Sequence, residues 1–144
     1  MRHHILASTI LGSTLVVGFA VTGFTQEKGT IKHIQAPSTD PASGVEMYRA
    51  YCAVCHGVDG KGNGPAAPAL RIAPTDLTLL SRTNGGKFPD FKVSNIIRGD
   101  GSVVAHGSRE MPMWGDVFRE MNRDESKVTL RVHNLTQYIG SLQR

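Results

Sequence analysis

The stretch that most constrains this chain is Cys52-Ala53-Val54-Cys55-His56, which holds its only two cysteines. C-x-x-C-H is the attachment signature of a c-type haem. Each thiol can form a thioether with one vinyl group of the porphyrin. Two intervening residues on a helical turn set both sulfurs along one edge of the ring. The next residue, His56, is then carried over the ring face, where its imidazole can ligate iron. Competing uses of a CxxC pair fit less well. A thioredoxin-like redox pair follows a strand in a βαβ pattern, and no such pattern is present. A zinc site needs a second CxxC or an H-x3-5-H pair, and neither occurs. A disulfide across two residues closes a very small loop and stabilises little.

At 144 residues the chain supports one domain with a modest core, and aromatic residues make up only 6% of it. A covalent porphyrin would supply much of the apolar core that the side chains lack. The formal charge is +4, mild and dispersed, and no RNP-like motif or basic run accompanies it. Nucleic-acid binding is therefore set aside, and a carrier that docks on acidic partners remains compatible.

Residues 1–25 read as a signal peptide or an N-terminal membrane anchor. Arg2, His3 and His4 form a short basic start, and Ile5 to Phe24 carries no charge. Gly23 and Thr25 offer small residues for cleavage before Gln26. Uncleaved, the apolar run is long enough to span a bilayer. Either outcome predicts an exported, periplasmic domain, soluble or anchored to the inner membrane. Residues 26–41, with Pro37, Ser38, Asp40 and Pro41, read as a flexible linker, leaving 42–144 as the folded domain.

Ser43 followed by Glu46 is a capping-box pattern at a helix start. Val45, Tyr48, Cys52 and Cys55 recur at spacings of three, four and three, which predicts one helical face shared by the cysteines and core residues. Gly57 ends that helix. From Gly57 to Pro68 the glycines and prolines predict a loop wrapping the His56 side of the cofactor. It is no P-loop, because Gly60-Lys61-Gly62 has neither the hydroxyl residue nor a preceding strand. A ligating imidazole donates its other N–H to a carbonyl, and that of Pro68 or Pro65 is well placed in sequence. Thr75 or Asp76 caps a short helix broken at Asn84-Gly85-Gly86. Phe88 to Arg98 predicts another, with Phe91, Val93, Ile96 and Ile97 apolar and Gly99 as its stop. Asp100 to Glu110 is an irregular loop, and Met121 falls in a turn. Ser126 to Leu142 places Val128, Val132, Leu135, Ile139 and Leu142 at helical spacing.

The second iron ligand must come from downstream. Met111, Met113 and His106 are the candidates. Pro112 fixes extended backbone beside Met111, which suits a ligand presented from a loop. A methionine thioether raises the potential and closes the sixth position; His106 would give a low-potential bis-histidine centre. Met47 is read as core packing, and His33 and His133 as surface or linker side chains. Trp114 has three readings: packing on the porphyrin, donating its indole N–H to a propionate, or plain core burial. Lys61, Arg71, Arg98 and Arg109 are candidate steering charges around the cofactor edge.

From about Pro41 to Leu142 the chain resembles the class I monohaem cytochrome c family. The residues that carry the resemblance are Gly44, Tyr48, Cys52, Cys55, His56, Gly57, Pro68-x-Leu70, Pro74-Thr75-Asp76-Leu77-Thr78, Met111-Pro112-x-Trp114-Gly115 and Tyr138. The resemblance implies an all-α fold with helices packed around one covalently attached haem c. It implies first and last helices that cross near Gly44 and Tyr138, His56 and Met111 as axial ligands, and the Pro68 carbonyl as the partner of His56. The function expected is one-electron transfer between a redox-protein donor and acceptor, without an enzymatic reaction. The alternatives are a dedicated haem subunit of a respiratory oxidase or dehydrogenase complex, and a peroxidase or gas-binding haem with a displaceable sixth ligand.

Overall fold

The computed structural model describes residues 35–100 and 111–144. The expected signal or anchor, His33, His106, Arg109 and nearly all of the loop from Asp100 to Glu110 lie outside the described residues. Among the described residues every regular element is helical, as expected for the all-α class. None of their helices is long and apolar enough to cross a membrane.

The first helical run begins at Ser43, whose Oγ accepts from the Glu46 amide at 3.3 Å. The reciprocal half of the capping box goes elsewhere, since Glu46 Oε1 accepts weakly from the Asp40 amide at 3.4 Å. α1 (Gly44–Met47) continues through a π-helical turn (Tyr48–Cys52) into α2 (Ala53–His56), where Gly57 stops it at φ 79°. The buried face is Met47, Tyr48, Tyr51 and Ala53. Val45, expected in that face, is exposed. Gly44 is the residue that faces the last helix, and one residue further on a helix is turned by about 100°.

Asp76 caps the next segment, its Oδ1 accepting from the Thr78 amide at 2.9 Å and from Thr78 Oγ1 at 2.6 Å. A 3-10 turn (Leu77–Leu79) leads into α3 (Leu80–Thr83), and the Asn84-Gly85-Gly86 turn ends it. α4 (Asp90–Arg98) stops at Gly99 in the left-handed conformation, φ 85°. Val93 and Ile97, one turn apart, face the core. Phe91 does not: it is 76% exposed, because two residues of helix carry it to the far side from Val93.

α5 (Trp114–Met121) is a helix the sequence reading passed over, and Met121 is its last residue rather than part of a turn. α6 (Glu125–Ser141) follows, capped by Asp124 and burying Val128, Val132, Leu135 and Ile139. α1 and α6 cross where Gly44 meets Asn134 and Tyr138, and the Tyr48 and Tyr138 rings stand 5.1 Å apart beside it. This crossing agrees with the expected one. The C-terminus is tied down, with Gln143 Nε2 donating to the Leu77 carbonyl and Arg144 Nε to Thr78 Oγ1, both at 2.7 Å.

The end of the expected linker is part of the domain. Tyr51 OH donates to the Pro37 carbonyl at 2.7 Å, so its contact with Thr39 Oγ1 at 2.8 Å runs from the Thr39 hydroxyl. Arg131 completes the relay, donating to Thr39 Oγ1 at 2.7 Å and to the Thr39 carbonyl at 2.8 Å. Its guanidinium is buried over the Phe118 ring, and its Nε has no partner. Asn134 Nδ2 holds the Pro41 carbonyl at 2.9 Å. The fixed part of the chain therefore starts before residue 42, and the buried hydroxyl and guanidinium are the reason.

Candidate functional site

α2 ends with orphan carbonyls, as every helix does. The following loop satisfies them in order. Gly62 N–H donates to the His56 carbonyl at 2.8 Å, Gly64 N–H to Cys55 at 3.0 Å and Ala66 N–H to Val54 at 2.9 Å. Gly64 has to be glycine: a Cβ there meets the Ala53 and Val54 carbonyl oxygens within 2.6 Å. Tyr48 OH, buried under this corner, donates to the Gly57 carbonyl at 2.8 Å.

The same run of bonds decides which carbonyl reaches His56. By pairing 62, 64 and 66 with 56, 55 and 54, the loop travels back along α2 and carries Pro68 past His56 into an exposed 3-10 turn (Ala67–Ala69). The chain then returns, with Leu77 N–H donating to the Gly60 carbonyl at 2.7 Å. His56 Nδ1 consequently faces the Thr75 carbonyl at 3.1 Å, not Pro68 or Pro65. Since a carbonyl only accepts, the ring proton is on Nδ1 and Nε2 keeps its lone pair. Burial lowers the His56 pKa below its ordinary value, and the Thr75 carbonyl opposes this in part. Both the tautomer and the neutral charge are those a ligating imidazole requires.

Burial pushes the Cys52 thiol up to about 12, with Cys55 adding to the effect. A buried neutral thiol is the opposite of the low-pKa thiolate that redox CxxC pairs and metal sites employ. Among the described residues no group of three or more His, Cys, Asp or Glu side chains is gathered for a metal ion. A half-buried, uncharged Cys52 sulfur is compatible with thioether attachment.

Cys52 and His56 line a cleft of about 220 Å³. Its other walls are mainly apolar, with Leu77, Leu80, Val93, Ile96, Ile97 and Ile139 from four further segments, and Met111 also lines it. Packed interiors rarely keep voids larger than a water molecule. A cleft this apolar, with Cys52 and a neutral histidine along one wall, therefore fits a flat, apolar group. The donor set fits too, combining a neutral imidazole with a soft thioether.

Met113 is placed differently from Met111. Its side chain lies against Gly99, where an added Cβ would come within 2.9 Å of Met113 Cβ and 3.4 Å of its sulfur. Trp114 is not among the residues lining the cleft. Its ring stands 5.1 Å from Tyr51 and 5.9 Å from Phe118, in the aromatic cluster that carries the Arg131 relay. In this position it packs against the hydrophobic core. Cys55 is half-buried and does not itself line the cleft, although Cys52 and His56 on either side of it do, and Val54 between the cysteines is 49% exposed.

Two of the expected steering charges are otherwise engaged. Lys61 pairs with Asp59 at 3.1 Å, and Arg98 with Glu125 at 2.9 Å and Asp100 at 3.3 Å. The sequence reading missed Thr75, through its carbonyl, and Lys92, which lines the cleft. Lys92 sits one turn before Ile96, so the helical period was the signal that could have found it.

Comparison with family models matches residues 39–125 to the family described as cytochrome c oxidase, cbb3-type, subunit III. No curated protein and no solved structure matches the chain.

Proposed function

The chain belongs to this family, as a class I monohaem c-type cytochrome domain, and from that premise we propose that it carries single electrons on one haem c attached through Cys52 and Cys55. Haem-based electron transfer follows from the family. The finer reading rests on one observation: Cys52, His56 and Met111 line the same apolar cleft. When bound, haem c supplies a one-electron iron couple. The chain's own residues do the rest. Cys52 and Cys55 fix the ring's edge, and His56 offers Nε2 while Thr75 holds its Nδ1 proton. Met111 brings a neutral thioether from the extended segment before α5. With His56 and Met111 both available to hold the iron, no position would be left for a substrate, and the chain would serve as an electron carrier rather than an enzyme.

Val54 and Val58, 49% and 77% exposed, supply an apolar rim next to the cysteines. A redox partner docking there meets the attached edge of the ring by the shortest route. In keeping with the uncharged N-terminal run, we place the domain in the periplasm, free or tethered to the inner membrane. The family's description supports a second reading, in which the chain is a fixed haem subunit of a respiratory oxidase complex. Stable co-purification with membrane subunits favours that reading, and a freely diffusing monomer favours the carrier.

The test is an optical and redox titration of the full chain with Met111→Ala and Met113→Ala. We expect a low-spin spectrum with the long-wavelength ferric band of methionine ligation, lost in Met111→Ala and kept in Met113→Ala. An unchanged Met111→Ala spectrum removes Met111 as ligand and turns attention to Met113 or His106. High-spin ferric bands, or ready carbon monoxide binding at neutral pH, defeat the carrier reading.

A further inference from the structure

Apart from Cys52, His56 and Thr75 on the histidine side, the polar residues of the described lining fall in one sector. Thr83 and Asn84 close α3 there, Pro89 and Lys92 open α4, and all four line the cleft. The turn between them is held by its own hydrogen bonds. The Ser81 carbonyl accepts from the Asn84 and Gly86 amides at 3.1 and 2.8 Å, and Asn84 Nδ2 donates to the Lys87 carbonyl at 2.8 Å. Thr83 Oγ1 is committed to the Leu79 and Leu80 carbonyls, both at 3.1 Å. Among the described residues Lys92 is the only lysine or arginine of the lining, and none of their carboxylates pairs with its ammonium.

Haem is chemically lopsided. Its vinyl groups occupy one part of the ring and its two propionates another. A ring fastened through the vinyls at Cys52 and Cys55 keeps its carboxylates away from those cysteines. An anion taken partly out of water needs a cation or donors beside it. Among the described residues the 83–92 turn is the one sector of the lining that provides a cation without a partner. We propose that Lys92 is the counter-charge of a haem propionate and, through it, a residue that sets the reduction potential. This rests on the haem c reading of the cleft. A positive charge held near the iron disfavours the ferric state, which carries one charge more than the ferrous state. Lys92 therefore raises the potential. The bland alternative is a solvated surface lysine, whose charge water and salt would screen.

The experiment is a spectrally monitored redox titration of the full-length holoprotein carrying Lys92→Gln, Lys92→Glu or Lys92→Arg. Lys87→Gln serves as the control, since Lys87 is exposed, as Lys92 is, but does not line the cleft. The midpoint potential is expected to fall in Lys92→Gln, to fall further in Lys92→Glu and to recover in Lys92→Arg. The low-spin spectrum and melting temperature should stay as in the parent. Lys87→Gln should move the potential less than Lys92→Gln at the same ionic strength. An unchanged potential in Lys92→Gln, or equal shifts in Lys92→Gln and Lys87→Gln, overturns the assignment and leaves the haem reading standing. A parent chain without a haem spectrum overturns the haem reading itself, and with it this inference, before any titration.

Discussion

Replacing Gly44 by alanine tests the helix crossing that the whole domain is built on. A Cβ on Gly44 runs into the Asn134 carbonyl oxygen, and it comes within 2.9 Å of Tyr138 Cβ and 3.0 Å of the Asn134 carbonyl carbon. None of these atoms is the far end of a flexible side chain, so α1 and α6 must separate. Overpacking of this kind costs about 1–3 kcal/mol. Alanine gains roughly 0.5–1 kcal/mol over glycine inside a helix, and less at the first helical position, so the clash wins. A net loss of about 2 kcal/mol is a large share of the roughly 5–15 kcal/mol that holds a domain together. For a domain near 100 residues it lowers Tm by about 8–16 °C. Thermal unfolding of the purified protein, followed by helical circular dichroism, measures it. Gly140→Ala is the comparison, because its Cβ meets only the Phe88 ring edge at 3.2 Å, and a ring can give way. The reasoning is refuted if Gly44→Ala melts at or above the parent temperature.

Tyr48→Phe strips the donor from the buried Gly57 carbonyl and is expected to destabilise by about 1–3 kcal/mol, read as a shift in denaturant midpoint. Arg131→Met removes both donors to Thr39. Limited proteolysis should then cut between residues 36 and 41 faster than in the parent, and equal rates would mean that the relay does not hold this segment. Asp76 has its pKa lowered first by the Thr78 hydroxyl, with the Thr78 amide and Arg144 adding to it. A carboxyl whose folded pKa is depressed contributes stability above its unfolded value and loses it as pH falls. The parent should therefore weaken as pH drops below about 4, whereas Asp76→Asn, already neutral, should lose less over that window.

The features legible in the sequence were those with a local physical signature. The cysteine spacing, the Asp76 cap, the Gly57 and Gly99 stops and the period of the last helix are each settled within a few residues. Met47 also sits in the core as expected. What escaped depends on several segments at once. Thr75 replaced Pro68 at His56 because three successive glycine and alanine amides march the loop backwards along α2. α5 was hidden by Pro112 before it and Gly115 within it, although Trp114, Phe118 and Met121 keep helical spacing. Val45 and Phe91 are apolar residues on solvent faces, which periodicity alone cannot separate from core positions. Residues 36–41 look like linker by composition, yet they complete the hydrogen bonding of a buried arginine and tyrosine.

The π-helical turn at Tyr48–Cys52 lets one short run of chain keep two appointments. Up to its first residue, Gly44 and Tyr48 must meet α6; from its last residue on, Cys52 and His56 must line the cleft. A uniform α-helix fixes the angle between any two of its residues, so aiming one end dictates the aim of the other. The wider turn breaks that rule by one residue's worth of rotation. It works like a keyed coupling on a shaft: inserting one further residue between Tyr48 and Cys52 would leave both ends intact and mis-index one against the other. Such an insertion should fold its helices yet mature poorly with haem, a phenotype unlike that of any side-chain substitution in the cleft.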